Sequence, residues 1–315
     1  MKHIFISDPK SFEGQQWKMG GVLNTITQYF KTQEKPNFST VFTKYPREAM
    51  GLIQSQISKG DADEQIRVYA IGGDDIIFDC LNGIAGLPDV ELAIVPYGQA
   101  NTFARSFGEE NEEAMRDIIS LTTAPVIHTD IISAGSYYAI NGCAIGFTPA
   151  IAYKMKQINA QSPKGLNRFT TLAYLFLTTL TSIFNLDITA RRYTITIDGK
   201  DYSGNYSLIS IVNTPFFGHT KAPLQGAMPN DGLLEIILIK AADPLLTFRS
   251  LRNYSRGAIP GNSVRLQATS VEIHSDESMW IQTDNDYFLD TSITITLLPE
   301  AVPIVTANNM MYKRY

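Results

Sequence analysis

Two apolar runs that each end in glycine constrain this chain most. "RVYAIGG" (Arg67 to Gly73) precedes a helical pattern, "IIFDCLNGIAG", and "ELAIVPYG" (Glu91 to Gly98) runs into "QANTFARSFG". Runs without polar alternation predict strands covered on both faces, as in a parallel sheet. Earlier segments keep the same rhythm. "HIFIS" (3–7) and "STVFTK" (39–44) read as strands. A stretch near 22–30 and "REAMGLIQSQI" (47–57) read as helices, the latter with Ala49, Leu52, Ile53 and Ile57 at helical spacing. Alternating strands and helices predict an α/β layer over residues 1–125. Ligands of such sheets bind at the carboxyl ends of the strands. Here those ends are Ser7–Asp8, Thr43, Gly72–Asp75 and Pro96–Asn101.

Beyond Val126 the strand-like runs come closer together, from "VIHTDIIS" to "TSITITLLP". Alternation is clearest in "YTITID", where Tyr193, Ile195 and Ile197 share a face. This texture predicts an antiparallel β-sandwich over 126–297, interrupted by helices at 166–184 and 244–254. The expected fold class is therefore α/β plus all-β: a Rossmann-like three-layer domain, then a sandwich. A tail, 298–315, follows, and its last residues, "NNMMYKRY", have no pattern of their own.

The balance of charge, −5, argues against a nucleic-acid partner bound by counterion release. Cys80 and Cys143 are too few for a disulfide scaffold and suit a reducing, cytoplasmic setting. No segment reads as membrane-spanning. The most apolar window, Leu172 to Phe184, is short and carries three threonines. His3, His128, His219 and His274 are scattered and lack metal-ligand spacing.

The two glycine turns have a definite chemistry. Glycine allows tight turns and close backbone approach, and the helix that follows offers free N–H groups to an anion. An ordinary strand-to-helix turn with Asp74 or Asp75 as cap explains either turn alone. Two such turns at neighbouring strand ends point more firmly to a phosphate site.

Several motifs agree in order and spacing with one family. "IGGDDIIFDCLNGI" and "AIVPYGQANTFAR" resemble the paired loops of the diacylglycerol kinase catalytic-domain family, usually GGDGTxNEvxNGl and PxGTxNDfAR. "SDPKSFEG", "TKYPREA", "INGCAIGF", "MPNDGLLEI" and "IQTDNDYF" resemble five further family elements, so the likeness spans nearly the whole chain. The resemblance implies an NAD kinase/diacylglycerol kinase type of fold and an ATP-dependent kinase acting on a diacylglycerol- or sphingosine-like lipid. It implies nucleotide contacts at Asp8, Gly14, Thr43, Gly72, Gly73, Asp74, Asp75, Ile76, Asp79, Gly98, Gln99 and Asn101. Asp284 and Asp286 would activate the acceptor hydroxyl. Asp231, with backbone oxygens of Leu233 and Met228, would hold Mg²⁺; a plain Asn-Asp-Gly turn explains the same residues. The late "TDNDYF" and "NDGLLEI" elements favour the lipid-kinase branch over NAD kinases.

The chain also departs from that pattern. Asp75 replaces a glycine, Ile76 the phosphate-contacting threonine, Gln99 a second threonine and Thr102 an aspartate. A carboxylate ~4 Å from a phosphate charge costs about 4 kcal/mol at an effective dielectric of ~20 unless Mg²⁺ bridges the two. The alternative reading is therefore a catalytically impaired member that binds nucleotide or lipid. The resemblance implies a cytoplasmic protein that meets its lipid substrate at the inner membrane face, with no transmembrane segment, a homodimer as one assembly, and a tail, 298–315, that packs back on the first domain. The stretch 166–184, approached by Lys154, Lys156, Lys164 and Arg168, reads as a sheet-covering helix or as a membrane-interface helix.

Overall fold

The computed structural model describes residues 1–12, 16–59, 64–161, 191–217 and 224–315. Gly14, His219 and the apolar stretch 166–184 lie outside the described residues.

Four parallel strands, β1 (Lys2–Ser7), β2 (Phe38–Phe42), β3 (Ile66–Gly72) and β4 (Val90–Pro96), lie in the order β2-β1-β3-β4. Every residue of β3 and β4 is buried, which explains why they read as unbroken apolar runs. Side-chain alternation sorts the two faces. Lys2 donates from Nζ to the carbonyl of Gln56 in α2 (Glu48–Ile57). Phe5 packs edge-on against Phe30 of α1 (Gln16–Lys31) on the opposite face. Helix α3 (Asp74–Ile84) packs beside α2, giving three layers.

The buried strands also carry a charge pair. Arg67 Nε lies 2.6 Å from Glu91 Oε2, and the guanidinium also donates to the carbonyls of Leu121 and Ala124. Each charge is thus compensated, which a buried ion pair requires. The carbonyls lie in the last turn of α5 (Ile118–Thr123) and just past its end, and α5 follows the single-turn α4 (Glu112–Met115).

The antiparallel part contains β5 (Val126–Ala134), β6 (Tyr137–Ala139), β7 (Gly142–Gly146), β8 (Arg191–Ile197), β9 (Lys200–Asp201) and β10 (Gly204–Val212). It continues with β11 (Leu234–Lys240), β12 (Ser263–Ala268), β13 (Ser270–Thr283) and β14 (Asp286–Val305). Ile132, Ile145, Ile195, Ile209, Ile236, Val271 and Ile295 are among the residues of its core. Helices α6 (Phe147–Gln161) and α7 (Pro244–Tyr254) add to this half.

Among the described residues the two halves share one sheet of 14 strands. Strand β14 runs through residue 297, and Ile304 and Val305 then pair in parallel with Leu92 and Ala93 of β4. Its register against β5 shifts between Leu298 and Val302. The last residues return to the α/β half: Lys313 N donates to the Ser106 carbonyl (2.7 Å), and Tyr312 stacks near Phe107. No helix among the described residues is long and apolar enough to cross a membrane.

Candidate active site

The loops at the carboxyl ends of β1, β2 and β3 meet the β13–β14 hairpin around a cavity of about 360 Å³. Asp8, Thr43, Asp75, Ile76, Asp79 and Asp286 line it, together with Lys10, Lys44, Arg47 and Lys156. Four carboxylates thus face four cationic side chains. A smaller neighbouring recess of about 50 Å³ is lined by residues including Asp74, Thr102, Asn141 and Asp284.

The glycines serve loop-to-loop contact. A Cβ on Gly98 would lie 2.4 Å from the Cα of Gly73, and one on Gly72 would lie 2.8 Å from Ser11 Oγ. Tyr97 N and Gly98 N both donate to the Gly72 carbonyl. Ser11 joins the first loop to this pair: its hydroxyl donates to Asp8 Oδ2 (3.3 Å) and accepts from Gly73 N (3.2 Å). Asp8 Oδ1 accepts from Lys10 N. Much of the polar capacity of Asp8 is therefore spent on shaping its own loop.

Helix α3 opens on Asp74 and Asp75, whose charges complement the positive end of the helix. Asp74 accepts from Thr102 N (2.7 Å) and Thr102 Oγ1 (2.8 Å). Burial still pushes its carboxyl above the usual range, against those two bonds. Thr102 thus donates to Asp74 where a second aspartate would repel it. The exposed Asp75 accepts at Oδ1 from Asn285 Nδ2 (3.1 Å), which ties the α3 end to the hairpin. Ile76 is buried.

Arg47 is the residue that motif reading missed. Its Nη1 lies 2.9 Å from Asp79 and its Nη2 2.7 Å from Asp286, and its guanidinium sits 4.2 Å from the Phe78 ring centroid. Asp79 is pushed up by burial and pulled back by the Arg47 bonds. Arg47 has a left-handed backbone (φ 67), which most side chains disfavour. That geometry aims its side chain across the cleft. A bulky residue in the "YPRE" turn was the available signal. Lys156 completes the bridge, donating from Nζ to the Asn285 carbonyl (3.2 Å).

Asp284 is buried and left-handed (φ 45). Its Oδ2 accepts from Ile140 N (2.8 Å), and its Oδ1 from Asn141 N and Gly142 N (2.9 Å each). Burial pushes its pKa up to about 6 while the three N–H groups pull it down. Asn141, in turn, accepts from Thr214 Oγ1 (3.1 Å).

Other sequence-derived candidates sit apart from the cavity. Gln99 is exposed on the second glycine turn. Asn101 is buried and left-handed (φ 46); its Nδ2 donates to Glu112, and its Oδ1 has no partner among the described residues. Asp231 Oδ1 accepts from Leu233 N (3.0 Å), and the Gly232 N–H between them goes to Asp130 Oδ2 (2.8 Å). Burial raises the Asp231 pKa, and the Asp130 and Glu235 charges add to that. No cluster of three or more His, Cys, Asp or Glu side chains suited to a metal ion occurs among the described residues.

An α/β layer followed by an antiparallel sandwich-like part is the two-domain plan of the diacylglycerol kinase and NAD kinase type. Residues 2–133 match the family model described as the diacylglycerol kinase catalytic domain. Residues 157–306 match the one described as the YegS C-terminal NAD kinase beta sandwich-like domain. The chain thus joins a match to the diacylglycerol kinase catalytic domain to a match to the YegS-type C-terminal domain, in that order along the sequence. A protein of Staphylococcus aureus (strain bovine RF122 / ET3-1), provisionally named a lipid kinase, is 26% identical over 295 residues, covering 91% of this chain and 90% of its own. Its counterpart in strain JH9 is 25% identical with the same coverage. A diacylglycerol kinase structure from Bacillus anthracis str. Sterne aligns over 98% of both chains at 21% identity, with a TM-score of 0.66. A second from that strain, provisionally named a diacylglycerol kinase, reaches 0.71. At such identity these likenesses speak for the fold alone.

Proposed function

We propose that this chain is an ATP-dependent lipid kinase that phosphorylates the hydroxyl of a diacylglycerol- or sphingosine-like lipid at the cytoplasmic membrane face. The observation that carries this reading is the convergence of the strand-end loops and the β13–β14 hairpin on one cavity. The Arg47–Asp286 contact at 2.7 Å and the Asn285–Asp75 contact at 3.1 Å join the two sides.

The loop residues fit a triphosphate in part. Gly72, Gly73 and Gly98 let the two turns close on each other and on Ser11, and Lys10 and Lys44 line the cavity without an ion pair among the described residues. Bound MgATP would supply the phosphoryl group, with the metal offsetting the Asp75 charge. Thr43, Gly73 and Gly98 would hold the phosphates, Asp79 would lie behind them, and Gly14, Gln99 and Asn101 stay assigned by resemblance alone. Asp284 would accept the proton of the lipid hydroxyl, and Asp286, fixed by Arg47, would orient that hydroxyl. Such transfer depends chiefly on positioning and on charge stabilisation. Asp231, with the carbonyls of Leu233 and Met228, would take a structural Mg²⁺ or Ca²⁺, since hard cations prefer oxygen.

A second reading, binding without transfer, is favoured by one feature. Ile76 offers no hydroxyl where the family pattern has one, and its side chain is buried. Thermal shift with MgATP and radiolabel transfer to extracted lipids separate the two. Transfer that disappears in Asp286→Asn supports the kinase. Nucleotide-induced stabilisation without transfer, converted to transfer by Asp75→Gly with Ile76→Thr, supports the impaired member.

Asp284→Asn is a poorer probe, because an amide cannot accept from all three N–H donors and would cost about 1–3 kcal/mol of stability. The pH profile is cleaner. A base must be ionised to accept a proton, so kcat/KM should rise with pH through a midpoint near 6, the value to which burial lifts Asp284. A profile flat between pH 5 and 8 removes Asp284 from that role.

A further inference from the structure

Helix α7 (Pro244–Tyr254) is amphipathic in the wrong sense for a water-facing helix. Its buried residues are Thr247, Ser250 and Tyr254. All three are hydrogen-bonded: Thr247 to the Ala242 carbonyl (3.2 Å), Ser250 to Asn262 (2.7 Å) and Tyr254 to Ser210 (2.6 Å). Facing out are Leu245 at 78% exposure, Leu246 at 40% and Phe248 at 42%, joined by Ile259 at 44% from the following loop. Arg249, Arg252 and Arg256 are exposed as well and form no ion pair among the described residues. At about 100° per residue, Leu245, Arg249 and Arg252 lie on one line, flanked by Leu246 and Phe248.

The charge is equally one-sided. Between Lys240 and Asn262 the only acidic residue is Asp243. Its Oδ1 is occupied in capping α7, accepting from Leu245 N and Leu246 N at 3.1 Å each. A chain with net charge −5 thus concentrates uncompensated guanidinium groups around its exposed apolar side chains. A second copy of this face is a poor cover, since a symmetric contact sets the same arginines against each other. A bilayer with anionic headgroups answers both features: its phosphates pair with guanidinium groups and its acyl boundary takes the apolar side chains.

We propose that α7 and the loop through Ile259 form a docking surface for an anionic lipid bilayer. Leu245, Leu246 and Phe248 enter the interface, and Arg249, Arg252 and Arg256 bind headgroup phosphates. The surface adjoins the cleft through one element. Leu251 packs on Phe147 and Ile151 of α6, and α6 carries Lys156 to the cavity. Docking through α7 would set the lipid beside the helix that reaches the candidate active site.

The test is flotation of the full chain with vesicles of phosphatidylcholine alone or mixed with phosphatidylglycerol. Binding is expected on the mixed vesicles, weakening as salt rises. Arg249→Gln, Arg252→Gln and Arg256→Gln together should weaken it on the order of a hundredfold, about fivefold per charge. Leu245→Ala with Phe248→Ala should weaken it about tenfold. Emission from Leu245→Trp should be quenched by brominated lipid beyond the background of the native tryptophans. The altered side chains are exposed, so melting temperatures should not move. Equal binding to neutral vesicles, undiminished binding by both variants, or no quenching overturns the proposal. So does self-association that Phe248→Ala abolishes, or capture of polyglutamate in place of vesicles. None of these readouts needs turnover, so their failure and failure of the kinase reading are told apart.

Discussion

At the scale of single residues, Arg47 is the side chain on which the cleft most depends. It holds Asp79 on α3 and Asp286 on the hairpin at once, while its left-handed backbone costs about 1–2 kcal/mol. Arg47→Met should lower kcat/KM by about a hundredfold, the order of effect seen when a reacting group loses its position. Arg47→Lys should recover part of that, keeping the charge but not the fork. If Arg47→Met transfers phosphate at the native rate, Asp286 does not need its clamp. Neither role was legible in the sequence, because Arg47 and Asp286 stand 239 positions apart and no local pattern encodes their meeting. Asp284 and Asp79 were named only through family motifs, while Asp75 also stands at a strand end where the α/β pattern directs attention. The three N–H groups that hold Asp284 come from residues 140–142, a long-range contact that periodicity cannot reveal.

His3 gives a residue-scale prediction that needs no ligand. Its Nδ1 lies 2.8 Å from the Tyr69 hydroxyl, and burial, aided by the Arg67 charge, lowers its pKa to about 4 from the usual 6.5. Between those values the unfolded chain takes up a proton that the folded protein refuses. This contribution to stability is therefore whole above pH 6.5 and declines as pH falls toward 4. In His3→Gln the urea midpoint should vary less over that window than in the native protein. Parallel curves for the two would show that His3 titrates alike in both states.

At the scale of elements, the glycine turns are shaped by their contact with each other. Gly98→Ala would put a methyl group 2.4 Å from the Gly73 Cα and 2.9 Å from Asn101 Oδ1, and the nearer of the two is backbone that cannot swing aside. The expected loss is about 1–3 kcal/mol in chemical denaturation, with the glycine turns displaced even in absence of nucleotide. A native-like melting curve would show that the loops part easily. The strands leading to these turns were legible because burial on both faces leaves a continuous apolar run. Helix α7 was legible as a helix but not in its orientation: its buried residues include Thr247, Ser250 and Tyr254, and a rule that sends apolar residues inward picks the opposite face.

At the scale of the whole molecule, the α/β layer and the sandwich are visible in sequence as a change of rhythm near Val126. Their fusion into one sheet is not, because the pairing of β14 with β4 joins residues more than 200 positions apart. A fragment of residues 1–125 would expose the β4 edge that Ile304 and Val305 cover, and would lose Tyr312 from its place beside Phe103 and Phe107. Unpaired edges recruit other chains. The fragment is expected to self-associate in light scattering, and a fused copy of residues 298–315 to restore a monomer. A stable, monomeric fragment would mean that the edge needs no cover.

The irregular point of β14 bears on how the cleft can open. A strand shared by both halves does not let them swing on a free linker, so opening must twist the strand itself. The compliant place is between Leu298 and Val302, where the register slips and Glu300 is left-handed (φ 51). There Glu300 N donates to Asp130 Oδ1, while Asp130 Oδ2 holds Gly232, next to Asp231. A cation held at Asp231 would therefore stiffen the pivot, and would tune how widely the halves part while standing apart from the reacting groups.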